Sequence, residues 1–158
     1  MKKHDCGREL IARVILVHDD CLLVNQGFSK KLGREYVALP GGHVDPGESC
    51  AQAVARECDE ELQIEVSVGD LVFVSEQIYA GRGQSDEARH ELTLVFRGEL
   101  KTHPSRDGDQ ILSPEASKNF RWLPLSQLPD APLLPRAVKQ FLLNEAASPR
   151  YAFADETL

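Results

Sequence analysis

The segment that most constrains this chain is a predicted helix at residues 49–62, because its faces require different surroundings. Ser49 and Gln52 have the S-x-x-Q spacing of a capping box, which predicts where the helix begins. Five apolar residues recur at helical spacing and span roughly 100° of the helical wheel: Ala51, Val54, Ala55, Cys58 and Leu62. A stripe of that width requires another layer of secondary structure to pack against.

A second face of the same helix is acidic. Glu57, Glu60 and Glu61 stand at i, i+3 and i+4, so they project within an arc of roughly 100° beside the apolar stripe. Like charges at this spacing destabilise a helix, and more so where water is scarce. Clustered carboxylate oxygens suit Mg²⁺ or Mn²⁺, and Arg56 can offset part of the charge. The alternative interpretation is a solvated acidic face with i, i+4 pairing.

The residues before the helix favour the first interpretation. A short predicted strand at residues 36–39 stops at Pro40-Gly41-Gly42, since proline and glycine do not continue a ladder. Glycines allow backbone carbonyls and amides to approach a ligand or metal closely. Glu48 lies just before the helix, where its carboxylate can turn inward.

Overall composition limits the partners of the chain. The 158 residues predict one domain with a substantial core, and 18 basic against 25 acidic residues give a net charge of −7. Such a surface does not attract nucleic acid or an anionic membrane. A polyanionic substrate therefore needs a divalent cation or a local basic patch.

Several features favour a cytoplasmic protein. The longest aliphatic run, residues 14–17, is too short to cross a bilayer, and residues 1–5 lack the apolar stretch of a signal peptide. The four cysteines form no CxxC pair, which predicts reduced thiols: Cys6, Cys21, Cys50 and Cys58.

Strands and two helices alternate along the chain and predict an α/β layered fold. A hairpin is predicted at residues 10–17 and 21–24, with further strands at 64–68, 71–74, 92–96 and 120–123. Residues 101–118 read as one long loop, residues 134–146 as a second helix, and residues 148–158 as a loosely held tail.

Taken together, Gly42-x5-Glu48-x7-Arg56-Glu57-x-x-Glu60-Glu61 resembles the signature of the Nudix hydrolases. A random window matches these six positions with a chance on the order of 10⁻⁷. The resemblance extends over most of residues 9–146. It implies a single Nudix domain over residues 1–158, with a core at about 9–146 and a tail at 148–158, folded as an α/β/α sandwich with a mixed sheet.

Two residues depart from the family pattern. Cys58 stands where the family usually has an aliphatic residue, and a small thiol packs acceptably there. Gln63 stands where the family has glycine. A left-handed glutamine costs roughly 1 kcal/mol, unless the helix ends differently.

The resemblance implies a pyrophosphohydrolase that uses Mg²⁺ or Mn²⁺ to cleave a nucleoside diphosphate linked to another moiety. By position, the metal ligands are Glu57, Glu60, Glu61 and the carbonyl of Gly41. Gly42, Glu48 and Arg56 support them, and Arg56, Glu57 and Glu61 belong to the catalytic set. The general base stays open among three residues: Glu57, Glu115 in the long loop, and Glu91 at the start of a strand.

The substrate is less constrained. Arg82 and Arg89 flank a polar loop and are candidate phosphate ligands, and Tyr79 resembles a tyrosine of the dinucleoside polyphosphate hydrolases in the family. Dinucleoside polyphosphates and nucleotide sugars are both candidate substrates. The alternatives are a pyrophosphatase that removes damaged nucleoside triphosphates and, less favoured, a non-catalytic Nudix-fold ligand-binding regulator. The family resemblance also makes a homodimer a candidate assembly.

Overall fold

A computed structural model describes residues 8–30, 32–79, 88–108 and 110–155. Its elements in chain order are β1 (Arg8–Ile15), β2 (Val17–His18), β3 (Cys21–Ser29), β4 (Arg34–Ala38), β5 (Gly41–His43), α1 (Cys50–Leu62), β6 (Val66–Tyr79), β7 (Arg89–Leu100), β8 (Arg106–Asp107), β9 (Gln110–Ile111), β10 (Phe120–Pro124), α2 (Arg136–Leu143) and β11 (Tyr151–Asp155). A single turn of 3₁₀ helix, Leu125–Gln127, follows β10.

The strands form two sheets. The five-stranded sheet has the order β11-β6-β7-β1-β5, and the second sheet has the order β2-β3-β10-β9-β8, with β4 also paired to β3. In the first sheet β1 runs parallel to β7 and β11 parallel to β6, whereas the other pairs are antiparallel. The sheet is therefore mixed, as the sequence predicts.

The five-stranded sheet has a core on each face. Val14 packs in a cluster with Val54 and Leu62 of α1. Its neighbour Ile15 packs in a second cluster with α2, where the rings of Phe73 and Phe141 stack with centroids 4.8 Å apart. Neighbouring side chains of a strand point to opposite faces, so the two helices cover opposite sides of the sheet. This confirms the predicted α/β/α layers.

Both ends of α1 are fixed by local contacts. The capping box is present: the Gln52 amide donates to Ser49 Oγ at 3.2 Å, and the Ser49 amide donates to Gln52 Oε1 at 2.8 Å. At the other end Gln63 adopts the left-handed conformation, with φ 53° and ψ 41°, and its amide donates to the Asp59 carbonyl at 2.9 Å. The glutamine therefore keeps the helix end that the family makes with glycine.

The predicted loose tail is wrong. Residues Tyr151–Asp155 form strand β11, which pairs in parallel with β6 from Val74 to Ile78. The Tyr151 hydroxyl also donates a hydrogen bond to Glu76. A strand pair and a side-chain contact together order this segment.

Other predicted boundaries also change. The predicted hairpin of residues 10–17 with 21–24 is wrong in its first strand, because β1 pairs with β7 and β5 while the short β2 pairs with β3. The predicted strands at 64–68 and 71–74 are one strand, β6, because irregularities in its register with β7 near Leu71 let pairing continue. The predicted loop at 101–118 contains the short hairpin β8–β9. The second helix is shorter than predicted, because it begins at Arg136 after Pro135 and ends at Leu143.

The described helices include none long and apolar enough to cross a membrane. Cys21, Cys50 and Cys58 carry free thiols, and Cys6 lies outside the described residues.

Replacing Gln63 with glycine is expected to stabilise the fold. Glycine adopts the left-handed conformation without steric cost, so the free energy of unfolding should rise by about 0.5–1 kcal/mol. Urea denaturation measures the change. Gln140→Gly, at an exposed position inside α2, is the control and should instead lower stability by about 1 kcal/mol. Destabilisation by Gln63→Gly would contradict the strained helix end.

Candidate active site

Arg56 organises the acidic face of α1. Its guanidinium donates to both oxygens of Glu48, at 2.7 and 3.1 Å, to Glu57 Oε1 at 3.2 Å and to Glu60 Oε2 at 3.3 Å. A further hydrogen bond of 3.0 Å reaches the carbonyl of His43 at the end of β5. The hydrogen bonds to Glu48, and then those to Glu57, raise the pKa of Arg56. Glu48 is therefore turned toward Arg56, and the single positive charge of Arg56 offsets part of the charge of three glutamates.

Glu61 lies deeper than its neighbours and has another counter-ion. Its side chain is 4% exposed, against 15% for Glu57 and 50% for Glu60. The ammonium of Lys118 forms an ion pair with Glu61 Oε1. Burial raises the pKa of Glu61, and the contact with Lys118 opposes that rise. The three glutamates thus lie in a gradient of burial.

The two glycines before the helix leave room for this cluster. Gly41 has φ +126°, and a Cβ there would lie 2.1 Å from the carbonyl oxygen of Ala12. A Cβ on Gly42 would lie 2.4 Å from Glu57 Oε1. Gly41 therefore permits close packing of β5 against β1, and Gly42 leaves the space that the Glu57 carboxylate occupies.

Arg13 is a site residue that the sequence analysis missed. It lies on β1, and its Nη1 donates to the carbonyl oxygens of Gly41 at 2.7 Å and Leu39 at 3.0 Å. Burial lowers the pKa of Arg13, whereas the charges of Glu91, Glu61 and Glu57 act to raise it. The available signal was a charged residue inside an apolar strand. Arg13 fixes the carbonyl that the family resemblance assigns to the metal.

The loop before β10 brings two more charged groups to the cluster. The Lys118 amide donates to the Glu115 carbonyl at 3.0 Å, which closes a turn, and the Glu115 amide donates to Ser113 Oγ at 3.1 Å. The Glu115 side chain is half-buried, and its charge acts to raise the pKa of Glu61. Glu115 is thus close enough to Glu61 to act on its charge. Lys118 is the second site residue that the sequence analysis missed.

Two of the predicted substrate residues, Tyr79 and Arg89, contact Glu9, which also pairs with His43 at the end of β5 at 3.7 Å. The Tyr79 hydroxyl is 2.9 Å from Glu9 Oε2 and 3.3 Å from Glu91 Oε2, and Arg89 forms an ion pair with Glu9. Glu91 Oε1 also accepts a hydrogen bond of 2.9 Å from Thr93 Oγ1. Arg89 lies in β7 rather than in a loop, and Arg82 lies outside the described residues.

The chemistry of the cluster fits a divalent cation. The donors are carboxylate and carbonyl oxygens, which Mg²⁺ and Mn²⁺ prefer, and Gly42 leaves room for the Glu57 carboxylate. As they stand, however, no three His, Cys, Asp or Glu side chains among the described residues converge on one point. Arg56 and Lys118 hold the carboxylates instead. A divalent cation at this cluster would therefore meet carboxylates that are already paired with Arg56 or Lys118.

A glycine pair followed by a helix that carries clustered glutamates, in an α/β/α sandwich, defines the class to which this protein belongs. Residues 7–143 match the NUDIX domain family, and the chain is therefore a member of the Nudix hydrolase family. The expected family and fold class are confirmed.

Two relatives of this chain have named activities. The chain is 35% identical over 109 residues to a CTP pyrophosphohydrolase of Escherichia coli (strain K12), and the match covers 69% of this chain and 73% of that protein. It is 31% identical over 117 residues to the NAD-capped RNA hydrolase NudC of Stutzerimonas stutzeri (strain A1501), covering 70% of this chain. The match spans only 37% of NudC.

Solved structures agree on the fold. A MutT NUDIX hydrolase from Burkholderia pseudomallei superposes with a TM-score of 0.66 at 24% identity, covering 89% of this chain and 99% of that one. The E. coli ORF135 protein superposes with a TM-score of 0.57 at 25% identity, covering 90% and 94% of the two chains.

Replacing Gly42 with alanine tests the space beside Glu57. The added Cβ should displace a flexible carboxylate rather than the backbone, so the protein should fold but bind metal about 10- to 100-fold more weakly. Isothermal titration with Mn²⁺ measures the affinity, and circular dichroism checks the fold. A folded variant with the affinity of the parent would show that Glu57 does not depend on this glycine.

Proposed function

We propose that this protein hydrolyses a phosphoric anhydride bond in a nucleoside diphosphate derivative, using Mg²⁺ or Mn²⁺. The observation that carries the proposal is the cluster of Glu48, Glu57 and Glu60 around Arg56, with the buried Glu61 on the same helix and paired with Lys118. A chain of net charge −7 needs a cation to accept a polyphosphate, and this cluster offers oxygen ligands for one.

Glu57, Glu60 and Glu61, with the carbonyl oxygen of Gly41, are the residues proposed to hold the metal. A bound divalent cation supplies positive charge that offsets the phosphate oxygens and stabilises charge in the transition state. Arg56 is itself fixed by Glu48 and by the His43 carbonyl. It can therefore hold the carboxylates of Glu57 and Glu60 in position. Arg13 orients the Gly41 carbonyl from the opposite side.

Among the three candidates for the general base, the contacts favour Glu115. Glu57 is held by Arg56, and Glu91 accepts hydrogen bonds from Thr93 and lies by the Tyr79 hydroxyl. Within the described part of the chain, Glu115 has no ion pair, and its half-buried carboxylate lies near Glu61. We assign to it the removal of a proton from the attacking water.

The relatives support two substrate classes. The CTP pyrophosphohydrolase, of which the match covers 73%, favours the second candidate, a nucleoside triphosphate cleaved to release pyrophosphate. NudC supports a nucleoside diphosphate linked to another moiety, but the match covers little more than a third of it. Tyr79 and Arg89 stay candidate substrate ligands, as does Arg82. The homodimer, the cytoplasmic location and the lack of a nucleic-acid partner stay predictions.

A substrate panel separates the two classes. It contains dinucleoside polyphosphates, nucleotide sugars, ADP-ribose, and normal and oxidised nucleoside triphosphates, each with Mg²⁺ or Mn²⁺. Chromatography of the products distinguishes pyrophosphate release from cleavage into two phosphorylated fragments. Metal-dependent turnover of one class supports the proposal and identifies the substrate. A lack of turnover of every anhydride would contradict it.

The buried glutamate should be essential for turnover. Glu61→Gln removes a charged oxygen ligand, so the turnover rate should fall at least 100-fold while the fold is kept, because glutamine has nearly the same shape and the Lys118 ammonium can extend into water. Glu65→Gln is the matched control, because Glu65 is exposed and paired with Lys101 outside the cluster. Turnover at the parent rate in Glu61→Gln would show that the assignment of the site is wrong.

Glu115→Gln tests the general base separately from metal binding. Loss of the proton acceptor should lower kcat by about 10²- to 10⁴-fold while the Mn²⁺ affinity stays near that of the parent. Glu91→Gln is measured in parallel by the same rate and titration assays. A full rate in Glu115→Gln together with a large loss in Glu91→Gln would assign the base to Glu91.

A further inference from the structure

Two basic side chains, those of Arg56 and Lys118, pair with the four glutamates of the Nudix signature. Arg56 contacts Glu48, Glu57 and Glu60. Glu61, the most buried of the four, is paired instead with Lys118, which comes from the loop before β10. Within the described residues, no other ion pair of Glu61 occurs, so its charge is compensated from outside the helix.

This pairing has a physical cause. A buried carboxylate without a counter-ion is costly, because the protein interior solvates charge poorly. The family resemblance assigns Glu61 to the metal, yet without a metal the chain must still neutralise it. The Lys118 ammonium does so at Glu61 Oε1.

We propose that Lys118 is an internal counter-ion that a divalent cation must displace from Glu61, so that Lys118 sets the metal affinity of the site. The inference rests on the proposed function only in taking the glutamate cluster as the metal site. An ammonium in contact with Glu61 and a divalent cation on the same carboxylate repel each other strongly. This repulsion disfavours having both on Glu61, and the metal carries the larger charge.

The Lys118 side chain can move away from the cluster more easily than the Arg56 side chain, because it has fewer contacts. Arg56 is fixed by both oxygens of Glu48 and by the His43 carbonyl. Lys118 is anchored in this site through its contact with Glu61, its side chain is 29% exposed, and its flexible stem can carry the ammonium into water.

Displacement has a measurable consequence. Every Mn²⁺ that binds must first break the pair between Lys118 and Glu61, so the observed affinity is weaker than the carboxylates alone would give. Removing the ammonium should strengthen metal binding. A stronger ion pair at Glu61 should weaken metal binding.

The experiment is a direct Mn²⁺ titration, with free Mn²⁺ measured by electron paramagnetic resonance, on the parent and three variants. Lys118→Met keeps an unbranched apolar stem without the charge and should bind Mn²⁺ about tenfold more tightly. Lys118→Arg offers a two-pronged partner to the carboxylate and should bind Mn²⁺ more weakly than the parent. Lys101→Met is the matched control, since it removes a lysine paired with exposed Glu65, and its affinity should not change.

Thermal unfolding with and without Mn²⁺ gives a second readout. Lys118→Met should lower Tm mainly in the metal-free protein, because Mn²⁺ replaces the lost charge. An affinity in Lys118→Met that equals or falls below that of the parent would overturn the inference alone. If Lys118→Met does not fold without metal, an affinity in Lys118→Arg equal to or tighter than the parent overturns it. A parent that binds no Mn²⁺ overturns the proposed function as well.

Discussion

The guanidinium of Arg56 is the interaction on which the acidic helix depends. It joins α1 to the loop before it through Glu48, to β5 through the His43 carbonyl, and to its own helix through Glu57 and Glu60. Without it, four carboxylates would lie close together beside an apolar stripe, where repulsion is poorly screened. The same contacts of Arg56 therefore offset the charge of the glutamates and hold their side chains in position.

The apolar stripe of α1 determines how deeply each of its glutamates is buried. Val54, Cys58 and Leu62 are buried against the sheet, which fixes the rotation of the helix about its axis. That rotation buries Glu61, half-covers Glu57 and leaves Glu60 near water. The graded burial of the three glutamates therefore follows from helical spacing together with the packing of α1 on the sheet.

Local spacing predicted most features of α1, although Ala55, expected in the apolar stripe, is exposed and Ala53 is buried instead. Contacts between distant segments were not predictable. The capping box at Ser49 and the pairing of Arg56 with Glu60 follow from local spacing. The contact of Lys118 with Glu61 joins residues far apart in the sequence, and no periodicity indicates it. Strand β11 was missed because a short segment near the end of a chain shows little pattern until its partner strand is known.

The central claim is that the glutamate face of α1 binds a divalent cation, and paramagnetic broadening tests it most directly. Mn²⁺ added in small amounts to ¹⁵N-labelled protein broadens the amide resonances close to it. The account predicts loss of signal first around Gly41 and Gly42, from Arg56 to Glu61, and around Lys118, with α2 unaffected. Broadening centred instead on the exposed turn at Asp19 and Asp20, or no selective broadening, would contradict it.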